Sequence, residues 1–254
     1  MKYKAVLLDL GGVVYVGSQP LRGALDAIAR LRAAGLAVRF LTNTTRTPHR
    51  LLLAQLRAMG LEVQGEELFT PALAARQLIA QQGLSPQLLV HPALEEDFAG
   101  LVPGHDVAVV VGDAGDSFTY AAMNAAYRAL ERGARFLALA NNRSFRDEDG
   151  GLSLDAGPFV AALAFASRCE PVVLGKPDAA FFHSALASFG CAPAEAVMIG
   201  DDVENDVAGA MAAGLSGILV QTGKYQAGAE RQVTPPPDAV MADLAAAVDW
   251  LLSQ

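Results

Sequence analysis

Short apolar runs alternate with longer stretches of helical periodicity along most of the chain. The run Lys4-Ala-Val-Leu-Leu ends at Asp9 and Gly11-Gly12, the pattern of a buried strand entering a turn. Residues 23–34 carry apolar positions at helical spacing, and Gly35 stands where such a helix would stop. Val38–Leu41 is the next strand, ending at Thr42-Asn43. A strand, helix and strand of these lengths predict a βαβ unit with parallel strands and a right-handed crossover.

Two further helices are announced by their starts. Thr47-Pro48 and Thr70-Pro71 each place a capping hydroxyl before a proline at the first helical position, and the second helix should reach about Gln82. Toward the other end, the spacing predicts a helix near 178–189, a strand over 196–199 entering Gly200-Asp201-Asp202, a helix near 205–213 and a strand over 217–221. Pro235-Pro236-Pro237 is a rigid loop, and Asp243–Leu252 a closing helix. Between these halves, strands over Leu88–Val90, Val107–Val111 and Phe136–Ala140 alternate with helices near 117–132 and 158–167. Arg143–Leu154 is polar and glycine-bearing, hence a loop or hairpin. The expected organisation is an α/β core made of residues 1–82 and 171–254, interrupted by a second α/β domain over 83–170.

Composition narrows the class. The 254 residues are 52% hydrophobic, which opposes disorder and allows a sizeable core. No apolar run approaches the roughly 18–20 residues of a membrane span, and the first residues lack a signal-peptide pattern, so no membrane partner and a cytoplasmic location are expected. Asp and Glu number 27 against 19 Lys and Arg, giving a net charge of -8 and no basic run, which argues against nucleic acid. Cys169 and Cys191 form no CxxC pair and are expected to be buried and structural. His49, His91, His105 and His183 share no metal-ligand spacing.

In an open parallel sheet, ligands bind beyond the carboxyl ends of the strands. Asp9, Thr42-Asn43, Lys176 and Asp201-Asp202 with Asp206 all fall at such ends in the predicted order. Each alone reads as a turn, a cap or a solvated side chain. Together they put carboxylates, a hydroxyl, an amide and an ammonium around one rim. Asp9 and Asp201 are oxygen ligands suited to Mg²⁺, while Thr42, backbone N–H groups and Lys176 can neutralise phosphoryl oxygens. A carboxylate can also attack phosphorus. Phosphoryl transfer fits the set best.

Four segments then resemble one family. Asp9-Leu10-Gly11-Gly12-Val13-Val14-Tyr15, Leu41-Thr42-Asn43, Gly175-Lys176-Pro177 and Gly200-Asp201-Asp202-Val203-Glu204-Asn205-Asp206 are similar to the four motifs of the haloacid dehalogenase superfamily. The insertion between the second and third motifs is similar to the α/β cap of its subclass IIA, as are Phe69-Thr70-Pro71, Gly157-Pro158-Phe159 and Thr222-Gly223-Lys224-Tyr225. The resemblance implies a Rossmann-like parallel-sheet core with an inserted cap, acting on small phosphorylated substrates. It makes Asp9 the nucleophile and a Mg²⁺ ligand, the Gly11 carbonyl a second ligand and Asp201 the third, with Asp206 supporting the metal. Gly11, Gly12, Thr42, Asn43 and Lys176 would hold the phosphoryl group. Asn141, Asn142, Arg143, Arg146 and the Asp155-Ala156-Gly157 turn are candidates for substrate contact from the cap, and a homodimer through the caps is implied.

One departure matters. Most phosphatases of the superfamily carry a second aspartate two residues after the nucleophile, which protonates the leaving group; here that residue is Gly11. General acid–base catalysis is worth about 10²–10⁴-fold. Alkyl phosphates should suffer most, and pyrophosphate, phosphoramidates and aryl phosphates least. The alternative is a phosphate-binding or regulatory protein that has lost turnover.

Overall fold

The computed structural model describes residues 2–146, 151–187 and 190–254. Its first strand, β1 (Ala5–Asp9), is buried at every position. A small hairpin of β2 (Tyr15–Val16) and β3 (Gln19–Pro20) follows. In α1 (Ala24–Ala33), the buried Ala24, Ala27, Ile28 and Leu31 form one stripe at helical spacing. β4 (Ala37–Leu41), α2 (His49–Ala58) and β5 (Leu68–Phe69) come next. The middle of the chain supplies α3 (Pro71–Gln82), β6 (Leu84–Leu89), β7 (Asp106–Val111), α4 (Tyr120–Glu131) and β8 (Arg135–Ala138). Then follow β9 (Ser144–Arg146), β10 (Leu152–Leu154), α5 (Ala156–Ser167) and β11 (Val172–Val173). The last part is α6 (Ala179–Ala187), β12 (Ala196–Gly200), a π-helical turn over Val203–Ala208, α7 (Gly209–Ala212), β13 (Ser216–Val220), β14 (Ala239–Met241) and α8 (Leu244–Leu252).

These elements form two compact units. The first is Met1–Thr42, Leu52–Phe69 and Lys176–Gln254; the second is Asn43–Leu51 and Thr70–Gly175. In the first, six parallel strands run in the order β14-β13-β12-β1-β4-β5. The chain winds outward from β1 through β4 and β5, then returns to build the other side from β12. The sheet therefore reverses its order between β1 and β12, which is where α/β sheets open a ligand crevice. Val6, Leu8, Ile199, Ile218 and Val220 pack with Ile28, Leu31, Leu56 and Val248 on one face, whereas Leu219 packs with Val203 and Val207 on the other. That alternation follows from successive strand side chains pointing to opposite faces.

The second unit has its own parallel sheet, ordered β11-β8-β7-β6. Ala75 and Ile79 of α3 pack with Val110 and Leu137 on one face, and Leu130 of α4 and Leu163 of α5 pack with Val109 and Phe136 on the other. α3 starts as its sequence predicts: Thr70 Oγ1 accepts the Leu73 N–H at 3.3 Å, and Pro71 takes the first helical position. Within the Arg143–Leu154 segment, expected as a loop or hairpin, β9 and β10 pair antiparallel.

Several local expectations are corrected. α2 begins at His49, whose N–H donates to the Asp97 carboxylate at 3.0 and 3.2 Å, so a residue far along the chain takes a bond expected of Thr47. β6 starts at Leu84 rather than Leu88 because pairing with β7 draws in Ser85-Pro86-Gln87; as an edge strand, β6 tolerates that proline. Cys169 and Cys191 are half-buried rather than buried. No described helix is long and apolar enough to cross a membrane. Residues 188 and 189, the end of the helix predicted over 178–189, lie outside the described residues.

Candidate active site

Asp9 closes β1, and its register partner is Leu41 of β4, so Thr42 lies one residue beyond it on the neighbouring strand. Asp201 follows the last residue of β12, the strand paired with β1 on its other side. Sheet pairing alone thus brings Asp9, Thr42 and Asp201 to adjacent carboxyl ends at the order reversal. Lys176 joins them from the segment after β11. Its ammonium donates to Asp206 Oδ1 at 2.6 Å and also to Asp9 Oδ1. Asp9, Asp201 and Asp206 each offer an oxygen, all within 4.8 Å of one another.

All of these groups are buried, Thr42 included. Burial drives the carboxyls away from their ordinary titration. Asp201 is pushed up to about 6 by burial and by the charge of Asp206. Asp206 is likewise raised to about 6, chiefly by burial, with Lys176 opposing and Asp9 adding to the rise. Burial also raises Asp9, against the pull of Lys176 and with the push of Asp201. For Lys176, burial works against the charge, but the carboxylates of Asp206 and Asp9 outweigh it and hold the ammonium firmly protonated.

A second layer of bonds aims these side chains. Asp202 caps the π-helical turn, accepting N–H groups of Glu204 at 3.2 Å and Asn205 at 3.0 Å. Its own N–H donates to Asp206 Oδ2 at 3.1 Å. Both oxygens of Asp206 therefore already accept a protein donor. The Lys224 N–H donates to Asp201 Oδ2 at 2.6 Å, and the Thr222 hydroxyl donates to the Gly12 carbonyl at 2.5 Å. Gly12 has φ 88°, and a Cβ on it would strike the Asp201 carboxylate. A Cβ on Gly11 would meet no atom within 4 Å.

The remaining candidates belong to the second unit. Asn43 opens it, and its Oδ1 packs against Gly175, where a Cβ would come within 2.8 Å. Arg143 is exposed on the approach to β9; the side chain of Arg146, like residues 147–150, lies outside the described residues. Asn141 is exposed, the Asn142 carbonyl accepts the Gly157 N–H at 3.0 Å, and Asp155 is spent on capping α5 through the Ala156 N–H at 2.7 Å. A polar cluster that the sequence does not announce lies in the same unit. Arg46 Nε donates to the buried Asp113 at 2.5 Å, and its guanidinium stacks 4.5 Å from the Phe145 ring centre. Thr45 Oγ1 accepts the Asp113 N–H at 3.2 Å. Only the run of Thr44-Thr45-Arg46 after Asn43 hints at it, and a partner 67 positions away is invisible locally.

Three buried carboxylates face one buried ammonium, leaving a negative surplus in a low-dielectric setting. The donor set is all oxygen, which suits a hard divalent cation such as Mg²⁺. Asp9 and Asp201 are the residues best able to hold one. The same carboxylate at Asp9 has the chemistry of a nucleophile, and Lys176 that of an electrostatic partner for an anionic group.

The haloacid dehalogenase-like hydrolase profile matches residues 6–108, and the HAD-hydrolase-like profile matches residues 173–247. The rat haloacid dehalogenase-like hydrolase domain-containing protein 2 is 45% identical over 98% of this chain and 96% of its own. Human phospholysine phosphohistidine inorganic pyrophosphate phosphatase is 38% identical over 98% and 94%. Among solved structures, the p-nitrophenyl phosphatase from Archaeoglobus fulgidus superposes with a TM-score of 0.89 at 27% identity, covering 98% of this chain and 99% of that one. The glycerol phosphate phosphatase from Mycobacterium tuberculosis, solved in complex with magnesium, gives 0.83 at 30% identity, covering 96% and 76%. The chain belongs to the haloacid dehalogenase-like hydrolases, as a phosphatase-type member of subclass IIA.

Proposed function

We propose that the protein is a Mg²⁺-dependent phosphohydrolase that works through an aspartyl-phosphate on Asp9. The observation that carries this reading is the buried set of Asp9, Asp201 and Asp206 around Lys176. In it, one oxygen of Asp9 attacks phosphorus and the bond to the leaving group breaks, leaving the phosphoryl on Asp9; water then returns the free carboxylate and phosphate. Asp9 and Asp201, with the Gly11 carbonyl, would hold Mg²⁺. When bound, the ion supplies positive charge against the phosphoryl oxygens. Asp206, whose oxygens already accept donors, would keep Lys176 and the ion's waters in place. Thr42 would hold phosphoryl oxygens by its hydroxyl, with Asn43 next along the chain, and Lys176 would neutralise charge shared between Asp9 and the phosphoryl group.

The substrates in this reading are small compounds with good leaving groups, since Gly11 offers no proton donor. A departing phosphate is already stable as an anion, the second pKa of a phosphoester being about 6, and hardly needs one. Two of the relatives, named as a pyrophosphate phosphatase and a p-nitrophenyl phosphatase, favour that bias, whereas the one named as a glycerol phosphate phosphatase opposes it. The inserted segment over 83–170 would act as the cap, with Arg143 and Arg146 as candidates for anionic substrate. A cytoplasmic location and a homodimer through that segment belong to the same reading, and sedimentation tests the latter.

The deciding experiment is steady-state hydrolysis with Mg²⁺ of pyrophosphate, a phosphoramidate, p-nitrophenyl phosphate and a sugar phosphate, with Asp9→Asn as control. Turnover of the first three, lost in Asp9→Asn, is expected. If no substrate turns over above the control, the hydrolase reading falls and that of a phosphate-binding or regulatory protein without turnover gains the advantage.

A further inference from the structure

We propose that Thr222 is a positioning residue for Asp201. It does so by closing a main-chain clasp, formed by Gly12 and the 222–224 loop, around one edge of the Asp201 carboxylate. The proposal rests on the reading of Asp201 as a cation ligand.

The clasp is assembled from parts distant in sequence. The Thr222 hydroxyl donates to the Gly12 carbonyl at 2.5 Å across 210 positions, locking the loop after β13 to the turn after β1. That bond presses Gly223 onto Gly12. A Cβ on Gly12 would lie 2.8 Å from the Gly223 Cα, and one on Gly223 would lie 2.6 Å from the Gly12 Cα. Either Cβ would also strike the Asp201 carboxylate. Both residues sit in the left-handed region, at φ 88° and 57°, so glycine is required twice over. The residue after Gly223 completes the device: the Lys224 N–H donates to Asp201 Oδ2 at 2.6 Å.

Asp201 is thus bounded by two glycine backbones and pinned through one oxygen, which fixes the plane of the group toward Asp9 and Asp206. The β-branched Thr222 suits the task because its χ1 is stiff and its hydroxyl is held on target. No side chain of the clasp touches a reacting atom. Outer partners of this kind typically govern metal affinity by about 10–100-fold.

The test is Mg²⁺ titration calorimetry on the substrate-free full chain, alongside its melting temperature without Mg²⁺. Thr222→Val should weaken Mg²⁺ binding about 10–100-fold, and Thr222→Ser, which keeps the donor, should restore it. In turnover, Thr222→Val should raise the Mg²⁺ concentration for half-maximal rate more than it lowers kcat at saturating Mg²⁺. Thr222→Ala removes the hydroxyl without added bulk and should match Thr222→Val. Wild-type Mg²⁺ affinity in both donor-less variants overturns the proposal, as does equal weakening in Thr222→Ser. A wild-type chain that binds no Mg²⁺ overturns this and the metal reading together. Binding that follows the expected order in a chain without turnover upholds the clasp and sinks only the hydrolase reading.

Discussion

Lys176 reaches Asp206 at 2.6 Å, and both side chains are almost wholly buried. The ammonium that touches Asp9 is therefore anchored from behind by a second carboxylate. Replacing Asp206 by Asn keeps the shape but removes the charge-assisted partner. Lys176 would then bear more heavily on Asp9 and draw electron density from the proposed nucleophile. Asp206→Asn should lower p-nitrophenyl phosphate turnover by about 10–100-fold, the usual range for a supporting partner of a metal site, with far-UV circular dichroism unchanged. Wild-type turnover in this variant would show that the anchor is dispensable.

Gly11 is open where its neighbour is not. A Cβ there meets no atom within 4 Å, and its backbone is not in the left-handed region. An aspartate can therefore be introduced two residues after Asp9 without displacing the turn. If the missing acid is what limits poor leaving groups, Gly11→Asp should raise sugar-phosphate turnover by up to about 10²–10⁴-fold and change pyrophosphate turnover far less. Equal effects on both substrates would separate Gly11 from leaving-group protonation.

The polar residues of the site were legible because each closes an apolar run, and in a parallel sheet the ends of such runs share one rim. Asp9 closes β1 and Asp201 follows β12, as the runs Ala5–Leu8 and Ala196–Ile199 predict. The spacing alone does not divide the work within Gly200-Asp201-Asp202, and only the resemblance to the family gives the ligand role to Asp201. Asp202 is a helix cap and Asp201 faces the cluster, a division set by the direction of one turn. The clasp was hidden for a different reason: Thr222 meets Gly12 across 210 positions, and no local pattern encodes that contact. Asp97 taking the His49 N–H across 48 positions is the same kind of omission. β6 was read too short because Ser85-Pro86-Gln87 has weak strand preference, and its partner β7 decides.

Gly12 gives a prediction opposite to that for Gly11. At φ 88° any side chain is strained, by about 1–2 kcal/mol for left-handed backbone, and a Cβ would also collide with the Asp201 carboxylate. Gly12→Ala should lower the melting temperature and, because Asp201 must turn away, abolish the stabilisation that Mg²⁺ confers. Differential scanning fluorimetry with and without Mg²⁺ separates the two effects. A variant with reduced melting temperature but an intact Mg²⁺ increment would show that Asp201 has another way to reach the ion.

Asp201 and Asp206 also set a pH dependence. Their folded-state values near 6 stand above the ordinary carboxylate value of 3.8, so the folded chain binds protons more tightly than the unfolded one. The stability these acids contribute is full below about 3.8 and is lost as pH rises through about 6. Above that, the metal-free protein carries uncompensated buried charge, which a divalent cation would relieve. Below it, protons compete with the cation for Asp201 and neutralise the Asp206 that supports it. The rise in melting temperature on adding Mg²⁺ should therefore be larger at pH 7.5 than at pH 5.5, by a margin that shrinks in Asp201→Asn, where one of the two titrating acids is gone. Scanning fluorimetry at the two pH values, with matched ionic strength, measures it directly. An equal rise at both would mean that the cation does not sit on these carboxylates.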